Sequence, residues 1–192
     1  MDKILQKNNW GELFFKYRDY TPIPLILILF MINNPNILSA TLGTLIIVLG
    51  EMIRLYSVAF IGSISRTRKD NLGSQLVTTG PFAIVRNPLY LGNFFIVSGI
   101  ALYSGVLWFI LLSTALFYFQ YHYIIQYEES LLEKKFGNDY LIYRQKVPCW
   151  VPKSIPRIED LEIPSSFVKA VKSEKRTFTA IAAMLVLLSL VS

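Results

Sequence analysis

Residues 80–93, GPFAIVRNPLYLGN, place a charged turn directly before an apolar helix. Asn87 and Pro88 predict the start of that helix, because asparagine can cap free backbone N–H groups and proline suits the first helical position. Apolar residues continue on every side through Ile100, which is typical of a helix surrounded by lipid or by other buried helices. Its free N–H groups, its dipole and Arg86 predict a site for a carboxylate or phosphate. A purely structural cap, with Arg86 reaching lipid head groups, explains the same residues equally well.

The composition is that of a membrane protein. The chain has 192 residues, 53% of them hydrophobic, and yet a formal net charge of +6. Mean hydropathy is positive, and long runs with almost no charge are the signature of membrane spans. Cys149 is the only cysteine, so an intrachain disulfide and a zinc site built on thiolates are both excluded. We expect one domain over residues 1–192, and neither a metal nor a nucleic acid as partner.

The pattern of apolar runs predicts an all-α integral membrane protein with about five transmembrane helices. The runs cover residues 21–33, 37–61, 88–102, 106–127 and 177–192. The second run is the clearest span, and the last is a short C-terminal apolar helix.

The remaining segments are polar or mixed. Residues 1–20 combine aromatic and charged side chains, which predicts an interfacial helix rather than a cleaved signal peptide. Residues 62–79 form a polar connection long enough to fold over a site, and residues 154–176 are rich in proline and charge, which indicates a surface segment.

The distribution of lysine and arginine predicts the orientation. These residues are concentrated in the N-terminal segment, in the connection before Asn87 and after Glu128, whereas the other two connections have none. Under the positive-inside rule those three segments are cytoplasmic. We therefore expect a cofactor pocket that faces the cytoplasm, formed by helix ends and by the segment after the fourth helix, in a cell inner membrane or, in a eukaryote, the endoplasmic reticulum.

The clearest span also carries two ionisable residues, Glu51 and Arg54. Their i,i+3 spacing lets them neutralise each other, and a ligand role is the alternative. In addition, two glycine pairs, each seven residues apart, predict close approach of two helices in lipid. The pairs are Gly43 with Gly50, and Gly92 with Gly99.

Two charged clusters should meet on the cytoplasmic side. The helix that begins at Pro88 and the one that ends near Tyr127 are joined by a tight turn, so they are antiparallel neighbours, and Arg86 lies close to Glu128 and Glu129. An anion-binding helix start, carboxylates and aromatic rings suit a zwitterionic cofactor with a sulfonium or adenine. Neither a Rossmann glycine fingerprint nor a P-loop is present in the sequence.

GPFAIVRNPLYLGN and the later YEESLLEKKFGNDYLIYRQKVPCWVP together resemble the integral-membrane methyltransferases, the superfamily of isoprenylcysteine carboxyl methyltransferase and phospholipid methyltransferase. The resemblance covers residues 62–152, which we treat as the catalytic core. It implies S-adenosylmethionine as the methyl donor, bound on the cytoplasmic side. It also implies a lipid-like or prenylated acceptor that enters from the bilayer.

Carried over by position, the resemblance also implies site residues. Those implied to bind the donor are Leu76, Val77, Gly80, Phe82, Arg86, Asn87, Pro88 and Tyr90, with Glu128 and Glu129 taking its polar groups. Those implied to close the pocket or meet the acceptor are Tyr140, Tyr143 and Arg144, and the catalytic candidates are Arg144, Glu129 and Tyr143. The family commonly has histidine where this chain has Asn87, which cannot titrate near neutral pH, so any acid–base role of that histidine is lost.

The acceptor group and two other functions stay open. Methyl transfer from a sulfonium needs mainly alignment and removal of water. A carboxylate acceptor needs no base and can pair with Arg144, whereas an amine needs a base such as Glu128, Glu129 or a tyrosine. The alternatives are an NADPH-dependent membrane reductase of the sterol-reductase type, and a non-enzymatic small transporter or assembly protein that uses Glu51 and Arg54. Binding of the donor separates the three.

Overall fold

The computed structural model describes residues 9–62, 75–154, 162–164 and 167–191, and this part of the chain is helical without any strand. The helices are α1 (Asn9–Tyr17), α2 (Ile23–Ile32), α3 (Ile37–Ile61), α4 (Pro81–Ile84), α5 (Pro88–Tyr103), α6 (Leu107–Phe136), α7 (Asn138–Lys146) and α8 (Phe167–Val191). The all-α prediction is confirmed for these residues. The charged part of the connection between α3 and α4, residues 63–74, lies outside them.

The helix pair α3 and α5 forms the most extensive contact of the bundle. A Cβ atom added to Gly43 would lie 2.6 Å from the carbonyl oxygen of Gly99, and one added to Gly50 would lie 2.7 Å from that of Gly92. Only glycine lets two backbones come this close. The predicted approach through the two glycine pairs is confirmed.

The bounds of α3 follow from its local sequence. Asn36 and Ser39 form a capping box, in which the Ser39 N–H donates to Asn36 Oδ1 at 2.9 Å and the Asn36 N–H donates to Ser39 Oγ at 3.0 Å. At the other end Gly62 adopts a φ of +63°, which ends the helix. The predicted run 37–61 therefore matches the helix.

An apolar core joins four helices at the end of α5 that lies away from the charged turn. It consists of Leu29 from α2, Ala101 from α5, Phe109 from α6 and Leu188 from α8, all of them buried. The side chain of Asn33 donates to the carbonyl oxygen of Leu188 at 2.7 Å. These contacts bring α8 back against the start of the chain.

Helix α1 packs against α6 through aromatic rings. The Phe14 ring lies 6.0 Å from that of Tyr123, and the Phe15 ring lies 5.6 Å from that of Tyr127, measured between centroids. A Cβ on Gly11 would approach the carbonyl oxygen of Tyr123 to 2.6 Å, so the two helices are in close contact. The interfacial location of residues 1–20 stays a prediction.

Two helices, α3 and α6, are long and apolar enough to cross a membrane, whereas α2 and α5 are shorter apolar helices. Large apolar side chains such as Leu38 and Leu111 are exposed on the outside of the bundle. Exposed apolar surface of this kind fits contact with lipid. These are features of a membrane protein, and the count of five spans stays a prediction.

The last helix begins at Phe167 rather than at Thr177. Most of residues 167–176 are exposed, as predicted for a surface segment, but the prediction is wrong for the buried Ala170 and for Glu174, which is only 1% exposed. Its Oε2 lies 2.7 Å from Nη2 of Arg54 on α3. A charged residue can be buried when it gains such a partner, so this turn of α8 packs against the bundle despite its charge.

Valine in place of Gly50 tests the α3–α5 contact. Because its side chain would meet the backbone of α5, we expect Gly50→Val to lower the free energy of unfolding by about 1–3 kcal/mol. Met52→Val is the matched control, since Met52 is exposed on the same helix and its replacement should cost under about 0.5 kcal/mol. Unfolding of both variants in mixed micelles measures this, and equal stability would contradict the glycine contact.

Candidate active site

Arg86 connects the start of α5 with α6 and with the segment after α7. Its Nε and Nη2 donate to Glu129 Oε1 at 2.9 and 2.8 Å. Its Nη1 donates to the carbonyl oxygen of Val147 at 2.6 Å and to that of Arg144 at 3.1 Å. The backbone N–H of Arg86 donates to the carbonyl oxygen of Pro148 at 2.9 Å. All three guanidinium nitrogens therefore donate to protein acceptors.

This ion pair is largely withdrawn from water. The side chains of Arg86 and Glu129 are 12% and 11% exposed. Burial by itself lowers the pKa of the Arg86 guanidinium, but the hydrogen bonds and the charge of Glu129 outweigh burial and raise that pKa above its ordinary value. The Arg86 guanidinium thus stays charged at every physiological pH.

The helix start at Pro88 is confirmed, but the predicted cap by Asn87 is wrong. The Asn87 side chain does not bind the first turn of α5; instead its Nδ2 donates to Cys149 Sγ at 3.4 Å. Burial raises the pKa of the Cys149 thiol, so this sulfur stays protonated near neutral pH. Arg86 holds the segment after α7 beside the turn that precedes α5. Cys149 of that segment therefore lies within reach of the Asn87 side-chain amide.

Tyr140 and Tyr143 of α7 are both buried. The Tyr143 hydroxyl donates to the carbonyl oxygen of Phe82 at 2.7 Å. Burial raises the pKa of both phenols, so neither hydroxyl ionises near neutral pH. Tyr143 thus ties α7 to α4, whereas Tyr140 hydrogen-bonds to Glu129 on α6.

Arg144 lies on the outer side of Glu129. Its Nε is 3.6 Å from Glu129 Oε2, its Nη1 is 3.6 Å from Glu133 Oε2, and its side chain is 47% exposed. The guanidinium is therefore only loosely held, and it can turn towards a ligand at the surface.

A cavity of about 720 Å³ lies beside the start of α5, within the range of roughly 300–1,000 Å³ that small-molecule sites occupy. All residues predicted to bind the donor line it, except Gly80 and Glu129. Those that line it are Leu76, Val77, Phe82, Arg86, Asn87, Pro88, Tyr90 and Glu128. Of the residues predicted to meet the acceptor, Tyr143 lines the cavity, whereas Tyr140 and Arg144 do not.

Gly80 supports the wall through its backbone. It has a φ of +57°, and a Cβ there would lie 2.5 Å from the ring of Phe60. Both the backbone conformation and the close ring favour glycine. Gly80 thus lets the turn into α4 pack against α3.

A polar cluster that the sequence did not indicate also lines the cavity. Arg54 donates to Glu174 Oε2 at 2.7 Å and to the side-chain oxygen of Asn93, while its Nε is 3.9 Å from Glu51 Oε1. The amide of Asn93 in turn donates to the Tyr121 hydroxyl at 3.3 Å. The predicted pair of Glu51 and Arg54 is present, but the hydrogen bonds of Arg54 go to other helices.

A second missed contribution comes from the segment that follows α1. Arg18 and Asp19 line the cavity, together with the Phe15 ring. Nη1 of Arg18 is 3.9 Å from Glu128 Oε1. The basic N-terminal segment was the available signal, yet the sequence does not show that it packs on α6. Within the described ranges, no three His, Cys, Asp or Glu side chains are grouped so as to hold a metal ion.

Loss of the Arg86 side chain should destabilise the fold. Arg86→Ala leaves the buried Glu129 carboxylate and two carbonyl groups without their donor, so we expect a loss of about 3 kcal/mol in unfolding free energy. Arg144→Ala is the control: it removes a half-exposed arginine from the same carboxylate and should cost at most about 1 kcal/mol. Denaturant titration of both variants measures the difference, and an Arg86→Ala protein as stable as Arg144→Ala would refute the role of this ion pair.

Residues 38–139 match the phospholipid methyltransferase family. This range runs from α3 into the start of α7 and leaves out α1, α2 and α8.

Two curated proteins are similar to the chain. Protein-S-isoprenylcysteine O-methyltransferase of Schizosaccharomyces pombe is 31% identical over 148 residues, which is 74% of this chain and 60% of that protein. Nickel-cobalt-cadmium resistance protein NccN of Alcaligenes xylosoxydans xylosoxydans is 26% identical over 113 residues, which is 59% of this chain and 49% of that protein. The chain thus spans between half and three-fifths of the length of these relatives. No solved structure was found to match it.

Proposed function

Because the chain belongs to the phospholipid methyltransferase family, we propose that it transfers a methyl group from S-adenosylmethionine to a lipid-like acceptor at the membrane surface. The observation that carries this proposal is the cavity of about 720 Å³, which gathers most of the residues implied for the donor at the adjoining ends of α5 and α6. The distribution of lysine and arginine supports placing this cavity on the cytoplasmic face, in a cell inner membrane or the endoplasmic reticulum.

The residues that line the cavity fit the donor. Glu128 offers a partly exposed carboxylate for an ammonium group. The rings of Tyr90 and Tyr121, 4.8 Å apart between centroids, offer aromatic surface for a sulfonium or an adenine. When bound there, the donor would supply a methyl group on sulfur for a nucleophilic atom of the acceptor, and the C–S bonding electrons would return to sulfur.

The chain itself contributes alignment. Tyr90 hydrogen-bonds to Glu128, which orients the carboxylate within the cavity. The ion pair of Arg86 and Glu129 fixes the wall, because it joins the start of α5, the end of α6 and the segment after α7. A rigid wall with apolar side chains such as Leu76 holds the reacting groups in position and excludes water. Glu129 is in this proposal a positioning residue.

The surroundings of the candidate bases favour an acceptor that reacts without losing a proton. Tyr140 and Tyr143 keep their protons near neutral pH, and the two oxygens of Glu129 face Arg86 and Arg144. Glu128, the remaining candidate, binds the ammonium group of the donor in this proposal. A carboxylate needs no base, whereas an ammonium group must first be deprotonated. We therefore favour a lipid-like or prenylated carboxylate, with Arg144 as its binding group at the surface.

Calorimetric titration of the purified protein with S-adenosylmethionine, S-adenosylhomocysteine and NADPH tests the cofactor. We expect saturable binding of the first two and none of NADPH. Glu128→Gln should weaken binding of S-adenosylhomocysteine about tenfold, since a charged hydrogen bond is lost.

Glu133→Gln is the control, because it makes the same change on α6 at a residue that does not line the cavity; its affinity should equal that of the wild type. Saturable binding of NADPH would instead support the reductase. If the folded protein binds none of the three compounds, the methyltransferase proposal fails and a transporter or assembly role gains support.

A further inference from the structure

Four arginines line the cavity, and they differ in what their guanidinium groups bind. Arg54 and Arg86 donate to carboxylate, amide or carbonyl oxygens of the protein, and Arg176 is exposed on α8. The side chain of Arg18, in contrast, is only 17% exposed, and its guanidinium has no hydrogen-bond acceptor in the part of the chain that the structure describes; its ionic contact is Glu128 at 3.9 Å. Arg18 thus keeps all its guanidinium donors for a ligand, whereas Arg54 has only its buried Nε without a hydrogen-bond partner.

The position of Arg18 is fixed by its neighbours. Its guanidinium carbon lies 4.4 Å from the centroid of the Phe15 ring, and that ring packs on Tyr127 of α6. The hydroxyl of Thr21 donates to the Arg18 carbonyl oxygen at 3.1 Å. The side chain is therefore held against the end of α6 before any ligand binds, which lowers the entropic cost of binding.

Arg18 and Glu128 together present a cation and an anion side by side. An α-amino acid carries an ammonium and a carboxylate on one carbon atom. Its carboxylate is complementary to Arg18 and its ammonium to Glu128. We propose that Arg18 binds the carboxylate of the amino-acid end of S-adenosylmethionine while Glu128 binds its ammonium. This inference rests on the proposed function and assigns the anion-binding part of its site.

The alternative anion site at Arg86 is disfavoured by its contacts. A ligand carboxylate there would have to displace Glu129 or two backbone carbonyls, and a buried Glu129 without its donor is costly. Arg18 binds a carboxylate without breaking any hydrogen bond of the described residues. Because it lies outside the family-matched residues 38–139, this contact belongs to the N-terminal segment of this chain.

The test compares two ligands that differ by one carboxylate, S-adenosylmethionine and its decarboxylated form. We expect the wild type to bind S-adenosylmethionine about tenfold or more tightly than the decarboxylated compound, because a charge-assisted hydrogen bond to Arg18 is lost with the carboxylate. In Arg18→Ala the ratio of the two dissociation constants should fall to about one. Arg18→Lys, which keeps the charge without the planar fork, should give an intermediate ratio.

Lys16→Ala removes an exposed cation from α1 and serves as the control, with the wild-type ratio expected. Calorimetry of folded protein gives each constant. A wild-type ratio in Arg18→Ala, or equal loss of affinity for both ligands, overturns the assignment of Arg18. Failure of the wild type to bind either ligand overturns the proposed function itself, so the two failures are distinguishable.

Discussion

The buried contact between Arg86 and Glu129 is the interaction on which the site depends. A carboxylate withdrawn from water is stable only when it is paired and hydrogen-bonded, and here its partner comes from the turn before α5. The same guanidinium binds the carbonyl oxygens of Arg144 and Val147. The turn before α5, helix α6 and the segment at the end of α7 are therefore all held by the Arg86 guanidinium. Their contacts with Arg86 determine the shape of the cavity wall.

Much of this arrangement follows from short-range rules. A largely apolar run bounded by Asn36 and Gly62 predicted the bounds of α3, because capping and chain reversal are local properties. The tight turn between α5 and α6 made them antiparallel neighbours, which is enough to bring Arg86 near Glu129. The spacing of the glycines predicted the α3–α5 contact, since seven residues return to nearly the same helix face.

The rest depends on contacts between distant segments, which the sequence alone does not show. The Asn87 amide binds Cys149, 62 residues away, instead of capping its own helix. Glu174 looked like part of a surface segment because its partner, Arg54, is 120 residues away. Arg18 reaches the cavity only because aromatic rings of α1 pack on α6. The segments outside the family-matched range thus add charges of their own to a cavity built largely within it.

The most direct test of this account is an experimental structure with S-adenosylhomocysteine bound. We expect the ligand in the cavity beside the start of α5, with its amino-acid end between Arg18 and Glu128, while Arg86 still binds Glu129. A ligand whose carboxylate has drawn Arg86 away from Glu129, or one that lies outside this cavity, would contradict it.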